Sequence, residues 1–280
     1  MAQPQHQGSH DFELGDAEFH EIRRIVHRIT GIALSDTKKH LVHGRLVRRL
    51  RALRLNGFRA YIERIESDAQ ELEEFCNAIT TNLTAFFRES HHFDYLAGTV
   101  LPLLQRRNAS SRRIRIWSAG CSTGEEPYSI AMTVLETVGH LRDWDIRILA
   151  TDIDSKVIAT ASAGIYPMDR FEKLSAPRRE RYFERSREGT HLEAGSELKR
   201  LITFKRLNLI EPWPLKGPFD VIFCRNVVIY FDKPTQRTLF DRMAELQRDG
   251  DHLFIGHSES LFNVCDRYEL IAQTIHKKVR

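Results

Sequence analysis

The spacing of apolar residues separates the chain into two parts with different periods. Up to Ile79, apolar side chains recur every three or four residues, beginning with Phe19, Ile22, Ile25, Val26 and Ile29. Such spacing places them on one face of a helix. It predicts a small all-helical N-terminal domain over residues 18–80, preceded by a flexible N-terminus, 1–17. Gly31 and Gly57 stand where helices of this domain are expected to end, as C-terminal caps do.

From Ile114 onward the period changes to short apolar runs that alternate with helical patterns. Strands are predicted at Ile114–Ser118, Ile146–Thr151, Ile202–Leu207, Phe219–Cys224 and His252–Gly256. Helices are predicted at Pro127–Val138, Ser155–Ser162 and Pro234–Leu246. Because strands and helices alternate, we expect an α/β fold with a mainly parallel sheet covered by helices on both faces. Ligands of such sheets bind beyond the carboxyl ends of the strands.

Two segments fall outside this alternation. Residues 81–113 precede the first strand and are predicted to form a linker helix. The stretch from Arg181 to Leu201 is polar, contains Gly189 and Gly195, and has no long apolar run. It predicts a small β-hairpin excursion, about residues 181–206, within a large domain that spans 114–280. A plain loop is the alternative.

Composition indicates a protein of the cytoplasm. The chain has 280 residues, of which 41% are hydrophobic, and no run approaches the roughly 20 apolar residues that a membrane helix needs. The stretch Met1–His10 has no apolar signal-peptide core. The four cysteines lie far apart, so neither a disulfide framework nor a metal site is expected. They are Cys76, Cys121, Cys224 and Cys265.

Positive charge is concentrated in one short stretch, although the net charge is only +4. Between Lys38 and Arg59 there are eight basic residues and no acidic one, and Leu46, Leu50 and Leu53 repeat at helical spacing. This pattern predicts an amphipathic helix with a strongly basic face. The face is either an ordinary solvated surface or a docking surface for an acidic partner, which could be nucleic acid or protein.

The turn after the first predicted strand carries two adjacent acids, Glu125 and Glu126, at a helix entry. A helix N-terminus attracts anions, so two carboxylates there satisfy its field and repel a pyrophosphate. The expected ligand is a nucleoside with a cationic tail. Gly120 and Gly124 are four residues apart and do not follow the spacing of dinucleotide-binding turns. An ordinary strand-to-helix connection is the alternative.

A second acid supports the nucleoside interpretation. The next strand ends in Asp152, and an acid at this place in the topology accepts hydrogen bonds from ribose hydroxyls. Asp154 or Ser155 is expected to cap the helix that follows. The common nucleoside with both an ammonium and a sulfonium group is S-adenosylmethionine (SAM). Its methyl group is transferred by in-line displacement, which requires an aligned nucleophile and a site without water.

The chain resembles the CheR family of chemotaxis receptor glutamate methyltransferases, and the resemblance covers nearly the whole chain from the helical domain onward. It rests on Thr80–Glu89, the turn Ser118–Ser129, Ala150–Asp154, Phe219–Phe231 and Gly256–Ser260. It implies a Rossmann-like class I SAM-dependent methyltransferase sheet. It also implies that the linker segment lines the cofactor cleft.

Site residues follow from the resemblance, position by position. It implies that the cofactor is bound by Asn82, Thr84, Arg88, Glu125, Glu126, Asp152, Asn208, Leu209, Arg225 and Asn226. One of the two glutamates should hold the methionine ammonium, and the sequence does not say which. Arg88 and Tyr230 are implied to contribute to catalysis. The product of the cofactor would be S-adenosylhomocysteine, and no metal is expected.

The reaction implied is the methylation of glutamate side chains on the cytoplasmic helices of chemoreceptors. A glutamate side chain has an ordinary pKa of about 4.3, so it is already an anionic nucleophile at neutral pH. A dry cleft would raise that pKa, and the guanidinium of Arg88 would counteract this. The basic helix would dock the receptor, and in some family members the hairpin binds a peptide at the receptor's C-terminus. A monomer is expected.

Two other functions are alternatives. Nucleic-acid methyltransferases that modify amino groups usually place Asn or Asp followed by Pro-Pro-Tyr or Pro-Pro-Phe at the end of the fourth strand. This chain has Arg225-Asn226-Val227-Val228 there, which argues against a nucleic-acid partner. The other alternative is a signalling module that binds SAM without turnover. The presence of both Arg88 and Tyr230 makes that alternative less favourable.

Overall fold

The computed structural model describes residues 12–141, 143–186 and 188–280. Most of the predicted flexible N-terminus therefore lies outside the described residues. The chain divides into two compact units. One contains the residues up to Ile29 together with Ala33–Thr80, and the other contains Thr30–Ile32 with Thr81–Arg280. No helix among the residues that the structure describes combines the length and the apolar character required to span a bilayer.

The first unit is helical. Its four α-helices are α1 (Asp16–Thr30), α2 (Lys39–Leu53), α3 (Phe58–Ser67) and α4 (Ala69–Ile79). Their apolar stripes meet in a core that includes Ile22, Leu46 and Phe75. The predicted basic helix is α2, and it ends at Arg54, which takes a left-handed conformation with φ of 55°. The prediction that Gly57 is a C-terminal cap is therefore wrong for α2. Gly57 is the residue that precedes α3.

The second unit is built on a seven-stranded sheet. The strands are β1 (Arg113–Ala119), β2 (Asp145–Asp152), β6 (Ile202–Arg206), β7 (Val221–Cys224), β8 (His252–Ile255), β9 (Tyr268–Ala272) and β10 (Ile275–Lys278). Their order is β6-β2-β1-β7-β8-β10-β9. The first five run parallel, and β10 is antiparallel to both of its neighbours. The order reverses at β1, which creates a crevice at the carboxyl ends of the strands.

Helices cover both faces of this sheet. They are α5 (His91–Tyr95) and α6 (Leu101–Arg107), joined by a π-helical turn (Leu96–Val100), and α7 (Glu125–Val138), α8 (Ser155–Ala163) and α11 (Lys233–Glu245). Alternate residues of β1 belong to different cores. Ile116 packs in the cluster that contains Ile130 of α7, whereas Trp117 packs in the cluster that contains Phe240 of α11. A strand covered on both faces has nearly continuous apolar character, which explains why the central strands were predictable.

A second, smaller sheet leaves the main one after α8. It contains β3 (Ile165–Pro167), β4 (Phe183–Arg185) and β5 (His191–Ala194) in the antiparallel order β3-β5-β4. The short helices α9 (Ala176–Tyr182) and α10 (Ser196–Lys199) flank its last two strands. The predicted excursion is therefore a three-stranded sheet rather than a lone hairpin. Residues 202–206 of the predicted range belong instead to the main sheet, where β6 pairs with β2.

Two further differences concern the ends of this unit. Residues 81–90 of the predicted linker helix are not helical, and the helix begins only at His91. The C-terminal pair β9 and β10 was not predicted. Leu270 of β9 is 63% exposed, because β9 is an edge strand, and the segment has no continuous apolar run.

Candidate active site

The turn between β1 and α7 depends on glycine at two positions. Gly120 has φ of 84°, and a side chain there would collide with Val227. Gly124 has φ of 101°, and an added Cβ would lie 2.8 Å from the Cβ of Ala161. L-residues rarely adopt such φ values. The turn therefore brings the start of α7 close to the segments that follow β7 and β2.

Glu125, the first residue of α7, is completely buried and fully partnered. Arg170 donates to its Oε1 from Nε at 3.0 Å, and Thr123 donates from Oγ1 to its Oε2 at 2.6 Å. Arg170 lies in a short 3-10 helix, Met168–Phe171, that follows β3. Arg170 was not among the predicted site residues. Arg170, which follows the first strand of the smaller sheet, thus neutralises the carboxylate of Glu125.

Glu126 is also paired with an arginine, which comes from the segment after β7. It accepts from Ser118 Oγ at 2.7 Å and from Arg225 Nη1 at 3.1 Å. Burial raises the pKa of Glu126, and the Arg225 guanidinium opposes that rise. Both acids at the helix entry therefore have an arginine partner. Neither carboxylate caps α7, whose N-cap residue is Gly124.

Asp152 lies at the carboxyl end of β2, as predicted. Its Oδ2 accepts from the backbone N–H of Ser122 at 2.8 Å, and its Oδ1 accepts from that of Asp154 at 3.0 Å. Burial raises its pKa to about 6, although both hydrogen bonds oppose this. Asp154 caps α8 by accepting from Lys156 N at 2.9 Å. The Asp152 carboxylate is thus held beside the turn by two backbone groups.

Asn82 and Arg88 lie in the segment 82–90 that precedes α5. Asn82 Nδ2 donates to Asp154 Oδ2 at 2.8 Å, and Asn82 O accepts from Ser122 Oγ at 3.0 Å. Thr84, half-buried, lies between them. Arg88 Nη1 donates to the carbonyl of Leu83 at 2.8 Å. Among the described residues, the structure pairs Arg88 with no carboxylate, unlike Arg170 and Arg225.

Arg225 follows β7 and connects three parts of the site. It is buried, and its guanidinium contacts Glu126, Glu89 (3.3 Å) and the carbonyl of Arg88. It also lies 5.6 Å from the centre of the Phe93 ring. Asn226, the next residue, has φ of 57° and donates from Nδ2 to Glu89 Oε1 at 3.4 Å. These two residues join the carboxyl end of β7 to the segment that carries Arg88.

Glu259, which was not among the predicted site residues, organises the loop after β7. Its buried carboxylate accepts from the backbone N–H groups of Gly256 (2.5 Å), Asn226 (2.9 Å), Val227 (2.8 Å) and Val228 (2.8 Å). The loop continues into a 3-10 helix, Val228–Tyr230, that carries the half-buried Tyr230. A carboxylate that binds several backbone N–H groups is a strong local anchor.

Asn208 and Leu209 follow β6 at the same edge of the sheet. Asn208 Oδ1 accepts from Ile210 N at 3.2 Å, and Leu209 is buried. The preceding residue, Leu207, donates from its backbone to Asp152 O at 2.9 Å. The predicted site residues therefore lie at the carboxyl ends of β6, β2, β1 and β7 or in the segment that contacts them. This set offers carboxylates for a cation and for hydroxyl donors, which suits SAM.

Two family models match the chain. Residues 17–80 match the CheR methyltransferase all-alpha domain, and residues 82–277 match the CheR methyltransferase SAM-binding domain. The chain belongs to the CheR methyltransferase family. The predicted family, the SAM cofactor and the class of enzyme, a SAM-dependent methyltransferase, are confirmed. The predicted α/β fold with its helical N-terminal domain is confirmed as well.

Relatives agree over most of their length. The chain is 44% identical over 275 residues to "Chemotaxis protein methyltransferase 2" of Pseudomonas aeruginosa, which covers 96% of this chain and 95% of that one. It is 42% identical over 270 residues to "Chemotaxis protein methyltransferase" of Escherichia coli, in an alignment that covers 94% of this chain and 91% of that one. Among solved structures, magnesium protoporphyrin IX methyltransferase from Synechocystis with bound SAM is 14% identical, covers 72% of this chain and 86% of that one, and has a TM-score of 0.36.

Proposed function

We propose that the protein transfers the methyl group of SAM to glutamate side chains on the cytoplasmic helices of chemoreceptors, which yields glutamyl methyl esters. The observation that carries the proposal is the contrast among the site's arginines. Arg170 and Arg225 are paired with Glu125 and Glu126, whereas Arg88 has no carboxylate partner among the described residues. Arg88 is thus available for an anionic substrate. The names of the relatives, chemotaxis protein methyltransferases, support the same substrate class.

Methyl transfer to a carboxylate requires that the two reactants be positioned, and it requires no proton transfer. When bound, SAM supplies an electrophilic methyl group on a sulfonium. A substrate glutamate is ionised at neutral pH, so no general base is needed. Entry into the cleft disfavours the charged form, and Arg88 offsets this by binding one carboxylate oxygen. The other oxygen remains free to attack, and the hydroxyl of Tyr230 helps to orient the carboxylate or the cofactor.

We assign the cofactor to the predicted set of residues. Glu125 and Glu126 surround the methionine ammonium, Asp152 binds the ribose, and Asn208 with Leu209 flanks the adenine. Asn82, Thr84 and Arg88 close the pocket from the segment before α5, and Arg225 with Asn226 closes it after β7. The assignment is supported by the connections of Asn82 to Asp154 and of Arg225 to Glu126.

A labelled-methyl assay tests the proposal. The purified protein is incubated with SAM that carries a labelled methyl group and with membranes that contain chemoreceptors. We expect label in the receptor band that is released by mild base, as an ester requires, and no label when the receptor glutamates are replaced by alanine. Measurable binding of SAM without transfer to any receptor preparation would contradict the proposed substrate.

We further propose that the receptor docks on the exposed face of α2. Several of its basic residues are occupied within their own unit. Lys39 binds Asp16 at 2.6 Å, Arg49 binds Glu71 and Glu74, and Arg45 donates to the carbonyl of Thr80. Four basic residues are exposed and have no acidic partner among the described residues: Arg48 and Arg51 of α2, and Lys38 and Arg54, which flank its two ends. These four, which we call the basic face, would attract an acidic helix.

Gly44 adds a steric argument for a helical partner. It lies in the middle of α2, where glycine costs about 1 kcal/mol relative to alanine, and an added Cβ would meet nothing within 4 Å. Gly44 and Arg48 are four residues apart, so they share one face of the helix. A missing side chain at an open position lets the backbone of a partner approach closely.

The smaller sheet is our proposed site for a receptor's C-terminal peptide. Its order, β3-β5-β4, leaves β4 at an edge, and an extended peptide can add a strand to an edge through backbone hydrogen bonds. Because both the receptor helices and SAM are encountered in the cytoplasm, we propose that the protein acts there. We propose a monomer, since Arg88 and Tyr230 come from the same chain.

A further inference from the structure

Three side chains beside Arg88 form a cluster that methyl transfer does not use. Glu89, His91 and His92 each offer a possible metal-ligating atom, and these atoms all lie within 4.8 Å of one another. Glu89 Oε2, His91 Nε2 and His92 Nδ1 are buried, and none has a hydrogen-bond partner. Buried polar atoms are nearly always satisfied, so three unsatisfied atoms in one place require an explanation.

Thr274 contacts one of the two nitrogens of His92. Its hydroxyl lies 2.8 Å from His92 Nε2 and 2.8 Å from Gln273 O. The other nitrogen, Nδ1, has no hydrogen-bond partner, and it bears a lone pair in the tautomer that carries the proton on Nε2. This ring is completely buried, so solvent does not satisfy Nδ1.

His92 Nδ1 lies 3.6 Å from Glu89 Oε2. The Arg225 guanidinium lies 3.3 Å from Oε2, whereas Nδ1 has no partner, and leaving a buried polar atom without a partner costs free energy. We propose that Glu89, His91 and His92 form a binding site for a divalent transition-metal ion of the zinc class. Two imidazoles with one carboxylate suit such an ion, whereas Ca²⁺ and Mg²⁺ prefer oxygen ligands.

Tetrahedral coordination requires the ligand atoms of the cluster to come closer together. Zn²⁺ bound to nitrogen and oxygen at about 2.0–2.2 Å separates its ligand atoms by about 3.3–3.5 Å. Glu89 Oε2 and His92 Nδ1, 3.6 Å apart, are already near this separation, and the atoms of the cluster all lie within 4.8 Å of one another. The Thr274 hydroxyl, 2.8 Å from His92 Nε2, supplies the outer contact that orients a ligating histidine.

Arg225 competes with the metal for the same oxygen. Its Nη2 lies 3.3 Å from Glu89 Oε2. The other oxygen of Glu89 is bound by His257 Nδ1 at 3.0 Å. A metal ion at Oε2 would displace the guanidinium toward Glu126, which it already contacts. The proposed site is therefore coupled to an arginine that also holds the Arg88 carbonyl.

Zinc binding to the full-length protein tests this inference. Competition with a chromogenic chelator should reveal one tight equivalent of Zn²⁺ in the wild type, and His91→Asn and Glu89→Gln should each weaken it at least about tenfold. His91 is only half-buried, and glutamine has nearly the same shape as Glu89. Neither variant removes the fully buried side chain of His92, so both are expected to fold. His40→Asn, which removes an exposed histidine of α2, is the matched control and should retain the tight equivalent.

The absorption spectrum of bound Co²⁺ identifies the ligands. We expect a spectrum of nitrogen and oxygen ligands, without the thiolate band that binding at a cysteine would give, and its loss in His91→Asn. Equal Zn²⁺ affinity in the wild type, His91→Asn and Glu89→Gln would overturn the proposal. A thiolate spectrum that persists in His91→Asn would also overturn it.

Discussion

At the scale of single residues, the site is defined by how its charges are paired. Two buried glutamates are each neutralised by an arginine, and both of these pairs connect segments distant in sequence. Buried ion pairs contribute little to stability but are costly to break, so they hold their partners in place. Arg88 lies beside them and donates only to the carbonyl of Leu83. Arg88 is therefore the arginine of this group that is available to the proposed carboxylate substrate.

Replacing Arg88 tests this distinction between paired and available arginines. We expect Arg88→Ala to lower the rate of methyl transfer by about 10²–10³-fold, because an oriented charge on the reacting group is lost. The dissociation constant of SAM, measured by calorimetry, should rise much less. Arg106→Ala, which removes an exposed arginine of α6, should leave both quantities unchanged. Transfer at the wild-type rate in Arg88→Ala would remove this residue from the mechanism.

Asp152 predicts a pH dependence of cofactor binding. Burial raises its pKa from 3.8 to about 6, so in the folded protein the carboxyl becomes protonated as the pH falls below about 6. Ribose hydroxyls donate to the carboxylate form. The affinity for SAM should therefore be constant well above pH 6 and fall by up to about tenfold per pH unit below it. Titration calorimetry between pH 5 and pH 8 measures this, and a flat profile in wild-type protein would contradict it.

The same raised pKa makes the protein without cofactor more stable as the pH falls, whereas the affinity for SAM decreases. Because the folded-state pKa exceeds the unfolded value, ionised Asp152 costs the fold about 3 kcal/mol at neutral pH. This cost disappears as the pH falls from about 6 toward 3.8. In Asp152→Asn the contribution of this residue to both dependences should be lost, since an amide does not titrate in this range. Denaturant unfolding at several pH values provides the measurement.

The residues that the sequence could reveal were those whose role follows from local position. Asp152 is found because it ends a strand, and the two glutamates because they open a helix. Their partners could not be found in this way, since Arg170 is 45 positions from Glu125, and Arg225 is 99 from Glu126. Arg225 was nevertheless included through the resemblance, whereas Arg170 and Glu259 received no role. Only the folded chain reveals which distant charges meet.

At the scale of elements, the loop after β7 is held by a single side chain. Glu259 accepts several backbone N–H groups of the segment that leads to Tyr230. We expect Glu259→Gln to lower stability by about 2–3 kcal/mol, because the amide loses the charge and replaces one acceptor with a donor. The transfer rate should fall as well, while the helical content stays unchanged.

Glu269→Gln is the matched control for this variant. Glu269 lies on the exposed edge strand β9, so its replacement should change neither the unfolding midpoint nor the transfer rate. Circular dichroism and the labelled-methyl assay compare the two proteins. If Glu259→Gln unfolds at the same denaturant concentration as the wild type, the carboxylate does not hold the loop.

Most elements with a buried face were predictable, and several exposed ones were not. The central strands β1, β7 and β8 are apolar because helices cover both sides, and each of the five parallel strands was located within a few residues. The strands β3 and β9 lie at sheet edges, where exposed residues hide the alternation, and β10 is buried but contains His and Lys rather than an apolar run. The end of α2 was misplaced because Arg54, not a glycine, adopts the left-handed conformation.

At the scale of the whole molecule, the distribution of charge predicts how the substrate is recruited. We expect the double charge reversal Arg48→Glu/Arg51→Glu to lower kcat/KM for receptor membranes by about tenfold or more at low salt, because the basic face attracts acidic helices. The dissociation constant of SAM should not change. The difference from the wild type should shrink as the ionic strength rises, since salt screens exposed charges.

Arg24→Glu/Arg28→Glu provides the matched control for recruitment. It changes the net charge by the same amount and alters exposed arginines of α1 in the same unit. If long-range attraction by the net charge were sufficient, both double variants would lose activity equally. If the basic face of α2 is the docking surface, only Arg48→Glu/Arg51→Glu loses it, and a receptor with basic replacements on its methylated helix restores part of the rate. Wild-type activity of Arg48→Glu/Arg51→Glu would assign α2 an ordinary solvated face, which was the alternative that its composition left open.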